Sequence, residues 1–359
     1  MQAAPTLEGT ITELFSCANS RLVEYCILRN FEALPESTLG GDIDLVLKEG
    51  DAAKWEEVLK EVARKKSMHV GVIQTHYHGK RYCLVNFDAE IFLKLDVHFG
   101  EFWRGVEYSS CEELLKNKEK YKFFYVPSVV NRSLVCLLDP LLTGGATRKK
   151  YKCIIMRCIA EERACFLERM SEIVGARRAS EVVTLLDDDR YLEISNKVNL
   201  IRMSLWVRKI FSRARTSTKF FGYIHYELRR RISPLGTLIE LEGDTVEVKG
   251  FLSSFQEFSE KRFLGMTADL VWPKPNSERR SNGSLIASLT NYNMVLGSRQ
   301  SFSRIMLRSY MCLTRVRIVK LNLAELEENN AEFCKVGFSK IIEDIFRDVI
   351  LQYKIINNI

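Results

Sequence analysis

Two aspartates at the start of a short apolar segment constrain this chain more than any other feature of its sequence. Asp42 and Asp44 flank Ile43, and apolar residues continue to Leu47. Since side chains alternate between the faces of a β-strand, a strand beginning here places both aspartates on one face and Ile43 on the other. Two neighbouring carboxylates repel each other unless a cation lies between them. Oxygen ligands of this kind suit Mg²⁺ or Mn²⁺, which commonly hold substrate phosphates at the same time.

A second candidate strand, residues 91–99 (IFLKLDVHF), carries a third acid. Strict alternation divides it into a core face, Leu93, Leu95, Val97 and Phe99, and an opposite face, Lys94, Asp96 and His98. If this strand lies beside the one that carries Asp44, the three carboxylates converge, and His98 shares their face. His76 and His78 form another candidate metal pair, for which a solvated strand edge is the favoured interpretation.

Helical and strand-like segments alternate in the first 149 residues and predict a mixed α/β or α+β fold. The expected helices are 7–22, 52–66, a short one near 111–120, and 129–142. The expected strands, besides those above, are 23–28, 69–76 and 81–87. We therefore expect a mixed sheet with flanking helices.

Glycines and composition divide the chain into three parts. Gly144 and Gly145 close the first part, which gives a domain at 1–149. Residues 150–232 have helical character throughout and predict a helical connector. Residues 233–359 predict a smaller α/β domain with strands at 236–241, 245–248 and 314–321 and a closing helix at 338–353.

The net charge of +7 comes from one local segment. Residues 200–232 contain nine Lys or Arg and one acid, Glu227, so the remainder of the chain is close to neutral. A helical projection of 198–215 places Leu200, Met203, Trp206, Val207, Ile210 and Phe211 in one apolar arc with basic flanks. This pattern fits a helix on an anionic membrane surface, but Ile201 and Leu205 fall outside the arc and favour a helix packed on the first domain.

Sequence composition predicts where the protein is located, the state of its cysteines and whether it binds nucleic acid. The N-terminus lacks a basic segment followed by an apolar one, and the chain has no apolar run of membrane-spanning length, so a cytoplasmic protein is predicted. Ten scattered cysteines without paired spacing predict reduced thiols. Because the positive charge is local, a nucleic-acid partner is not favoured. An enzyme acting on RNA would need the basic segment folded over the acids.

The first part of the chain resembles the nucleotidyltransferase superfamily of the polymerase-beta type. The resemblance rests on LRNFEALPE followed by GGDIDLVL, on FLKLDVHFGEFWRGVEY and on LLTGGATRKKY, and it covers about residues 10–150. The sequences of these segments are similar to those of a bacterial subgroup associated with cell-surface polysaccharide gene clusters. The resemblance implies transfer of a nucleoside monophosphate from an NTP to a hydroxyl or phosphate acceptor, plausibly in surface-glycan metabolism.

The resemblance also implies roles for individual residues. Asp42, Asp44 and Asp96 would be the catalytic metal ligands for Mg²⁺ or Mn²⁺, and Asp96 would accept the proton of the attacking hydroxyl. The nucleotide contacts would be Arg29 and Asn30, at the position of the family's Gly-Ser turn, with Gly41 and Arg104. Arg29 lacks the freedom of glycine, but its guanidinium can contact phosphate.

The alternative is a catalytically inactive protein of the same fold that binds nucleotide or scaffolds other enzymes. Some members of the subgroup resemble fusions to a thymidylate-kinase-like domain. Here Gly243 to Gly250 has the first glycine and the lysine of a P-loop but lacks the second glycine and the Ser/Thr. Residues 233–359 are therefore interpreted as a degenerate kinase-like domain or an unrelated α/β domain.

Overall fold

The computed structural model describes residues 5–38, 41–86, 89, 91–210 and 214–232, together with five strands between 237 and 355. The chain forms two compact units, of which the first consists of Met1–Val70, Thr75–Cys83 and Lys94–Ile224 and the second of Gly71–Gln74, Leu84–Leu93 and His225–Ile359. The domain boundaries expected at 149/150 and 232/233 stay predictions.

Helices and strands occupy most of the described residues. The helices are α1 (Leu7–Ser20), α2 (Ala52–Lys65), α3 (Cys111–Leu115), α4 (Val129–Gly144), α5 (Lys152–Val174), α6 (Ala176–Asp187), α7 (Tyr191–Asn196), α8 (Val198–Ile210) and α9 (Ala214–Ile232). The first nine strands are β1 (Tyr25–Ile27), β2 (Ile43–Leu47), β3 (His69–His76), β4 (Gly79–Asn86), β5 (Ile91–His98), β6 (Gly100–Trp103), β7 (Val106–Ser110), β8 (Glu119–Tyr121) and β9 (Phe124–Val126). The remaining strands are β10 (Thr237–Glu242), β11 (Ala268–Leu270), β12 (Met294–Ser298), β13 (Arg317–Asn322) and β14 (Lys354–Ile355).

In the main sheet the strands β1, β2, β5, β4 and β3 are neighbours in that order. β1 is antiparallel to β2, whereas β2 is parallel to β5. The predicted class, a mixed sheet with helices in an α+β arrangement, is confirmed. β5 is buried along seven of its eight residues, because it lies between two other strands.

Helices α1 and α2 pack an aromatic cluster against β1. The Thr6 side chain accepts a hydrogen bond from the Gly9 backbone and caps α1. In α2, Trp55, Val58, Leu59 and Val62 form one apolar stripe, which is fully buried. The ring centroids of Phe15 and Tyr25 lie 5.3 Å apart, and Trp55 lies 6.2 Å from Tyr25. This packing holds β1, and hence the start of the Arg29 turn, in place.

Two helix ends differ from the predictions. The first helix ends at Ser20, and Leu22 adopts a left-handed φ of 53° with 79% of its surface exposed instead of joining the apolar stripe. The segment predicted as a helix near 111–120 is helical only to Leu115, because Lys116 is already extended and β8 and β9 pair in an antiparallel hairpin. At this point the pairing of the two strands overrides the helical periodicity of the local sequence.

Helices α4 to α8 form the second core of the first unit. α4 ends at Gly144, and Gly145 takes the left-handed conformation (φ 77°) that its C-terminal position requires. α8 buries Ile201 and Leu205, the two residues that the helical projection placed outside the apolar arc. In that arc Met203, Trp206 and Val207 are instead 57%, 43% and 50% exposed. The arc is therefore not the packing face of α8, and its contact with a membrane surface stays a prediction.

The second unit contains a four-stranded parallel sheet with the order β11-β12-β10-β13. In the same unit β14 pairs antiparallel with the Gly71–Val72 part of β3. The strands expected at 236–241 and 314–321 are present as β10 and β13, whereas the strand at 245–248, the segment 243–250 and the helix at 338–353 lie outside the described residues. None of the helices in the described part of the chain is both long and apolar enough to cross a membrane.

Candidate metal centre

Asp44 and Asp96 lie directly beside each other in the main sheet. β2 and β5 run parallel with Asp44 opposite Asp96, so the two side chains leave the same face. Only 13% of the Asp44 side chain and 11% of the Asp96 side chain are exposed. The expected meeting of the two strands is confirmed, and it places two carboxylates in a poorly solvated site.

His98 is the third member of this group. One ligand atom each from Asp44, Asp96 and His98 lies within 4.8 Å of the others, which is close enough for a shared metal ion. The His98 Nε2 lies 3.5 Å from an Asp96 oxygen, and Nδ1 lies 3.1 Å from Glu101 Oε1. Neither contact has hydrogen-bond geometry, so both buried ring nitrogens lack a hydrogen-bond partner among the described residues. A buried Asp-Asp-His group that can hold a metal ion is therefore present.

Two arginines neutralise part of this charge. Arg29 donates from Nε to Asp44 Oδ2 at 2.7 Å and from Nη1 to Asp139 on α4. Arg81 on β4 donates from Nη2 to Asp96 Oδ2 at 2.5 Å. Each carboxylate of the strand pair thus already has one guanidinium partner, with which a metal ion would compete.

Asp42 lies beside Lys94, at the edge of the site. It precedes the first residue of β2, its side chain is 31% exposed, and Lys94 Nζ lies 3.1 Å from Oδ2. Because Lys94 precedes Leu95, which is the partner of Ile43, the sheet register itself brings the pair together. The residues whose ligand atoms come together are Asp44, Asp96 and His98, and the role of Asp42 as a metal ligand stays a prediction.

Burial and neighbouring charges shift the pKa values of Asp44 and Asp96 in opposite directions. Burial raises the pKa of Asp44 and outweighs the opposing charge of Arg29. Burial also acts to raise the pKa of Asp96, but the positive charges of His98 and Arg81 outweigh burial and hold this pKa well below the usual range. Burial opposes protonation of His98, but Glu101 and Asp96 raise its pKa well above normal. The lowered pKa keeps Asp96 ionised, which is the form that binds a metal ion.

Five acids surround this point, and we call them the carboxylate cluster: Asp42, Asp44, Asp96, Glu101 and Asp139. Three permanent cations face them, Arg29, Arg81 and Lys94. With His98 protonated, as its raised pKa indicates, the cluster keeps a surplus of one negative charge, and the surplus becomes two when His98 gives up its proton to bind a metal ion. One divalent cation would balance that surplus, and the donor set of two carboxylates and an imidazole suits Mn²⁺ and, through the carboxylates, Mg²⁺.

The turn after β1 contains one residue with a left-handed backbone, the asparagine of the Arg29-Asn30 pair. Asn30 has a φ of 56°, a conformation that asparagine tolerates better than most residues. Its side-chain oxygen accepts hydrogen bonds from Lys150 Nζ at 3.1 Å and Tyr151 Oη at 3.3 Å. Gly41 lies in a turn in which its N–H donates to the Thr38 carbonyl. A Cβ at Gly41 would meet nothing nearer than 3.6 Å, so the backbone does not require glycine there.

Arg104 and the His76–His78 pair are not among the three residues of the candidate metal group. Arg104 follows β6 with a φ of 48° and stacks on Trp103, in a groove that Arg202 and Trp206 also line. The structure does not bring it to the aspartates. The ring centroids of His78 and His98 are 5.4 Å apart, and burial lowers the pKa of His78 to about 3. His78 is thus more buried than a residue at the expected solvated strand edge would be.

Sequence reasoning missed three residues that contact the site. Arg81 could have been found by alternation, because it lies on a strand next to β5. Glu101 receives a hydrogen bond from the buried Tyr108 hydroxyl at 2.7 Å, and its position three residues after His98 was a weak signal. Asp139 comes from α4, 110 residues after its partner Arg29, and no local pattern pointed to it.

Comparisons of this chain with protein-family models, with curated proteins and with solved structures find no match. The resemblance to the nucleotidyltransferase superfamily therefore stays a prediction, and the family is not assigned.

Proposed function

We propose that this protein is a metal-dependent nucleotidyltransferase. It moves a nucleoside monophosphate from an NTP to a hydroxyl or phosphate acceptor, and the resemblance suggests surface-glycan metabolism as the setting. The observation that carries the proposal is the parallel register of Asp44 and Asp96, which presents two buried carboxylates and His98 to one point. Such a donor set commonly holds a divalent ion that also binds substrate phosphates.

Each residue of the group has a distinct role in this proposal. Asp44 and Asp96 would hold Mg²⁺ or Mn²⁺, and His98 would join them after losing its proton. When bound, the ion supplies charge neutralisation at the transferring phosphate and activates the attacking hydroxyl. The Tyr108 hydroxyl donates a hydrogen bond to Glu101, whose other carboxylate oxygen faces His98 Nδ1 at 3.1 Å and favours the positive charge of the ring. Asp42, partly exposed beside Lys94, is available for a second ion.

The alternative, an inactive protein of the same fold that binds nucleotide or scaffolds other enzymes, has its own support. Arg29 and Arg81 already bind the two central carboxylates, as guanidinium groups do where a metal is not needed. Under this alternative the nucleotide would bind without transfer, and the arginines would be permanent parts of the fold.

One experiment separates the two functions. Purified protein is incubated with each labelled NTP and a mixture of candidate hydroxyl and phosphate acceptors, with Mn²⁺ or Mg²⁺. We expect transfer by the wild type and its loss in Asp44→Asn and Asp96→Asn. Asp42→Asn reports whether the partly exposed acid is also needed. Transfer that survives both central substitutions would contradict the catalytic assignment, and nucleotide binding without transfer would favour the alternative.

A further inference from the structure

A cleft of about 360 Å³ adjoins the turn after β1 and is lined mainly by cations. Its charged lining residues are Arg29, Arg132, Lys150, Arg157 and one acid, Glu32. We call this the basic cleft. Its volume lies within the usual range for small-molecule sites.

The cations of the cleft differ from the other basic residues nearby in their lack of acidic partners. Among the described residues, no carboxylate lies within ion-pair distance of Arg132, Lys150 or Arg157. On α5, the helix that carries Arg157, Lys152 by contrast pairs with Asp189 and Arg163 pairs with Asp187, both at 2.6 Å. Uncompensated positive charge is therefore a local property of the cleft, not of α5 as a whole.

The cations are also held in position. Lys150 donates to Asn30 Oδ1 and lies 4.8 Å from the ring centroid of Tyr151. Arg132 lies 5.0 Å from the ring centroid of Phe31, and its buried Nε has no hydrogen-bond partner within the described part of the chain. A buried donor of this kind carries a desolvation cost that an oxyanion in the cleft would offset.

Arg29 belongs to both the cleft and the carboxylate cluster. Its remaining guanidinium surface lines the cleft while Nε and Nη1 hold Asp44 and Asp139. An anion in the cleft would therefore lie next to the candidate metal ligands.

We propose that the basic cleft binds a phosphate group of a ligand through Lys150, Arg132 and Arg157. The phosphate belongs either to the polyphosphate of a nucleotide or to a phosphorylated acceptor. Its place in a reaction rests on the proposed function, whereas the binding of the anion does not. Guanidinium and ammonium groups at a partly buried site give charge-assisted hydrogen bonds to phosphate oxygens.

Calorimetric titration with sodium tripolyphosphate tests the site at fixed ionic strength with EDTA present. The double variant Lys150→Gln/Arg157→Gln should bind about tenfold more weakly than the wild type, because two charge-assisted contacts are lost. Both side chains are exposed, so the fold should persist, which circular dichroism checks. The matched control, Lys152→Gln/Arg163→Gln, removes the same charge from residues of α5 that do not line the cleft and should bind within about twofold of the wild type.

Equal weakening in both double variants, unchanged binding in the cleft variant or failure of the wild type to bind would each overturn the proposal. Titrations with ATP and with glucose 1-phosphate then identify the source. Tighter binding of ATP supports a nucleotide polyphosphate, and tighter binding of the sugar phosphate supports a phosphorylated acceptor. Because the titration contains EDTA and measures no transfer, its result does not depend on catalysis. Anion binding in the titration together with no transfer in the NTP assay would contradict the proposed function and leave this inference standing.

Discussion

The carboxylate cluster and the basic cleft share Arg29 but differ in the sign of their uncompensated charge. In the cluster, five acids face three permanent cations. In the cleft, Arg132, Lys150 and Arg157 accompany Arg29, with Glu32 as the one acid of the lining. One region thus suits a divalent cation and the other an oxyanion, and a metal-bound phosphate needs both. The comparison shows that ion pairs within a region do not by themselves mean that the region has only a structural role. The net charge that remains after the ion pairs are counted indicates which ion the region can bind.

The largest expected effect is on stability and comes from removing the residue that both regions share. Arg29→Ala leaves Asp44 and Asp139 without their common partner, and we expect a loss of about 3–5 kcal/mol in the free energy of unfolding, because a poorly solvated charge is left uncompensated. Urea denaturation in the presence of EDTA measures this free energy of unfolding. Arg21→Ala, which removes an exposed pair with Glu61, should cost at most about 1 kcal/mol.

Added Mn²⁺ should restore part of the stability of Arg29→Ala, since the ion would replace the lost positive charge at Asp44. Similar small losses in both arginine variants, with no effect of Mn²⁺, would show that Arg29 does not compensate the cluster.

The second prediction separates metal ligands from acids that only hold Arg29. Asp44→Asn should weaken Mn²⁺ binding at least tenfold, since a carboxylate ligand is replaced by a neutral amide, a loss of about 1.4 kcal/mol or more. Asp139→Asn is the matched control, because Asp139 pairs with the same arginine but lies outside the three-residue group. Its Mn²⁺ affinity should stay within about threefold of the wild type. Equal losses in calorimetry would mean that the cluster acts only through its total charge.

The third prediction concerns access to the basic cleft. Cys153 lines the cleft and is exposed, whereas Cys165, on the same helix, is exposed elsewhere. Tripolyphosphate should slow alkylation of Cys153 severalfold, because an occupied cleft blocks the reagent, and leave Cys165 unchanged. Burial raises the pKa of Cys136, also in the lining, to about 12, so this thiol should react slowly with or without the anion. Peptide mass spectrometry after timed iodoacetamide treatment measures all three. Parallel slowing at Cys153 and Cys165 would argue against occupation of the cleft.

The smallest effect is expected outside both regions, at the exposed Glu61. Hydrogen bonds from Lys65, Cys17 and Arg21 lower its pKa to about 2. Since the folded pKa lies below the unfolded value, this contribution to stability is present above about pH 4.5 and is lost as the pH falls towards 2. Glu61→Gln should therefore reduce the melting temperature slightly at pH 7 and hardly at all near pH 2. A difference that persists at the lower pH would assign the effect to packing instead of charge.

Local sequence pattern predicted the elements around the cluster well where periodicity and burial agreed. The stripe of α2 and the alternation of β5 both follow from the requirement that one face be apolar. The pattern failed after Leu115, where β8 and β9 pair, and at α8, where every turn carries apolar residues on more than one side. Periodicity alone cannot choose between two apolar faces of a helix.

The sequence by itself determined that Asp44 and Asp96 would each leave the polar face of a strand, because alternation is a property of the extended backbone. Only the tertiary structure decided that these strands are neighbours in register, that His98 joins the two aspartates in one group, and that Arg29 pairs with Asp139. Those contacts join residues far apart in the chain. They depend on the order of strands in the sheet and on the packing of α4 against it, which local pattern does not encode.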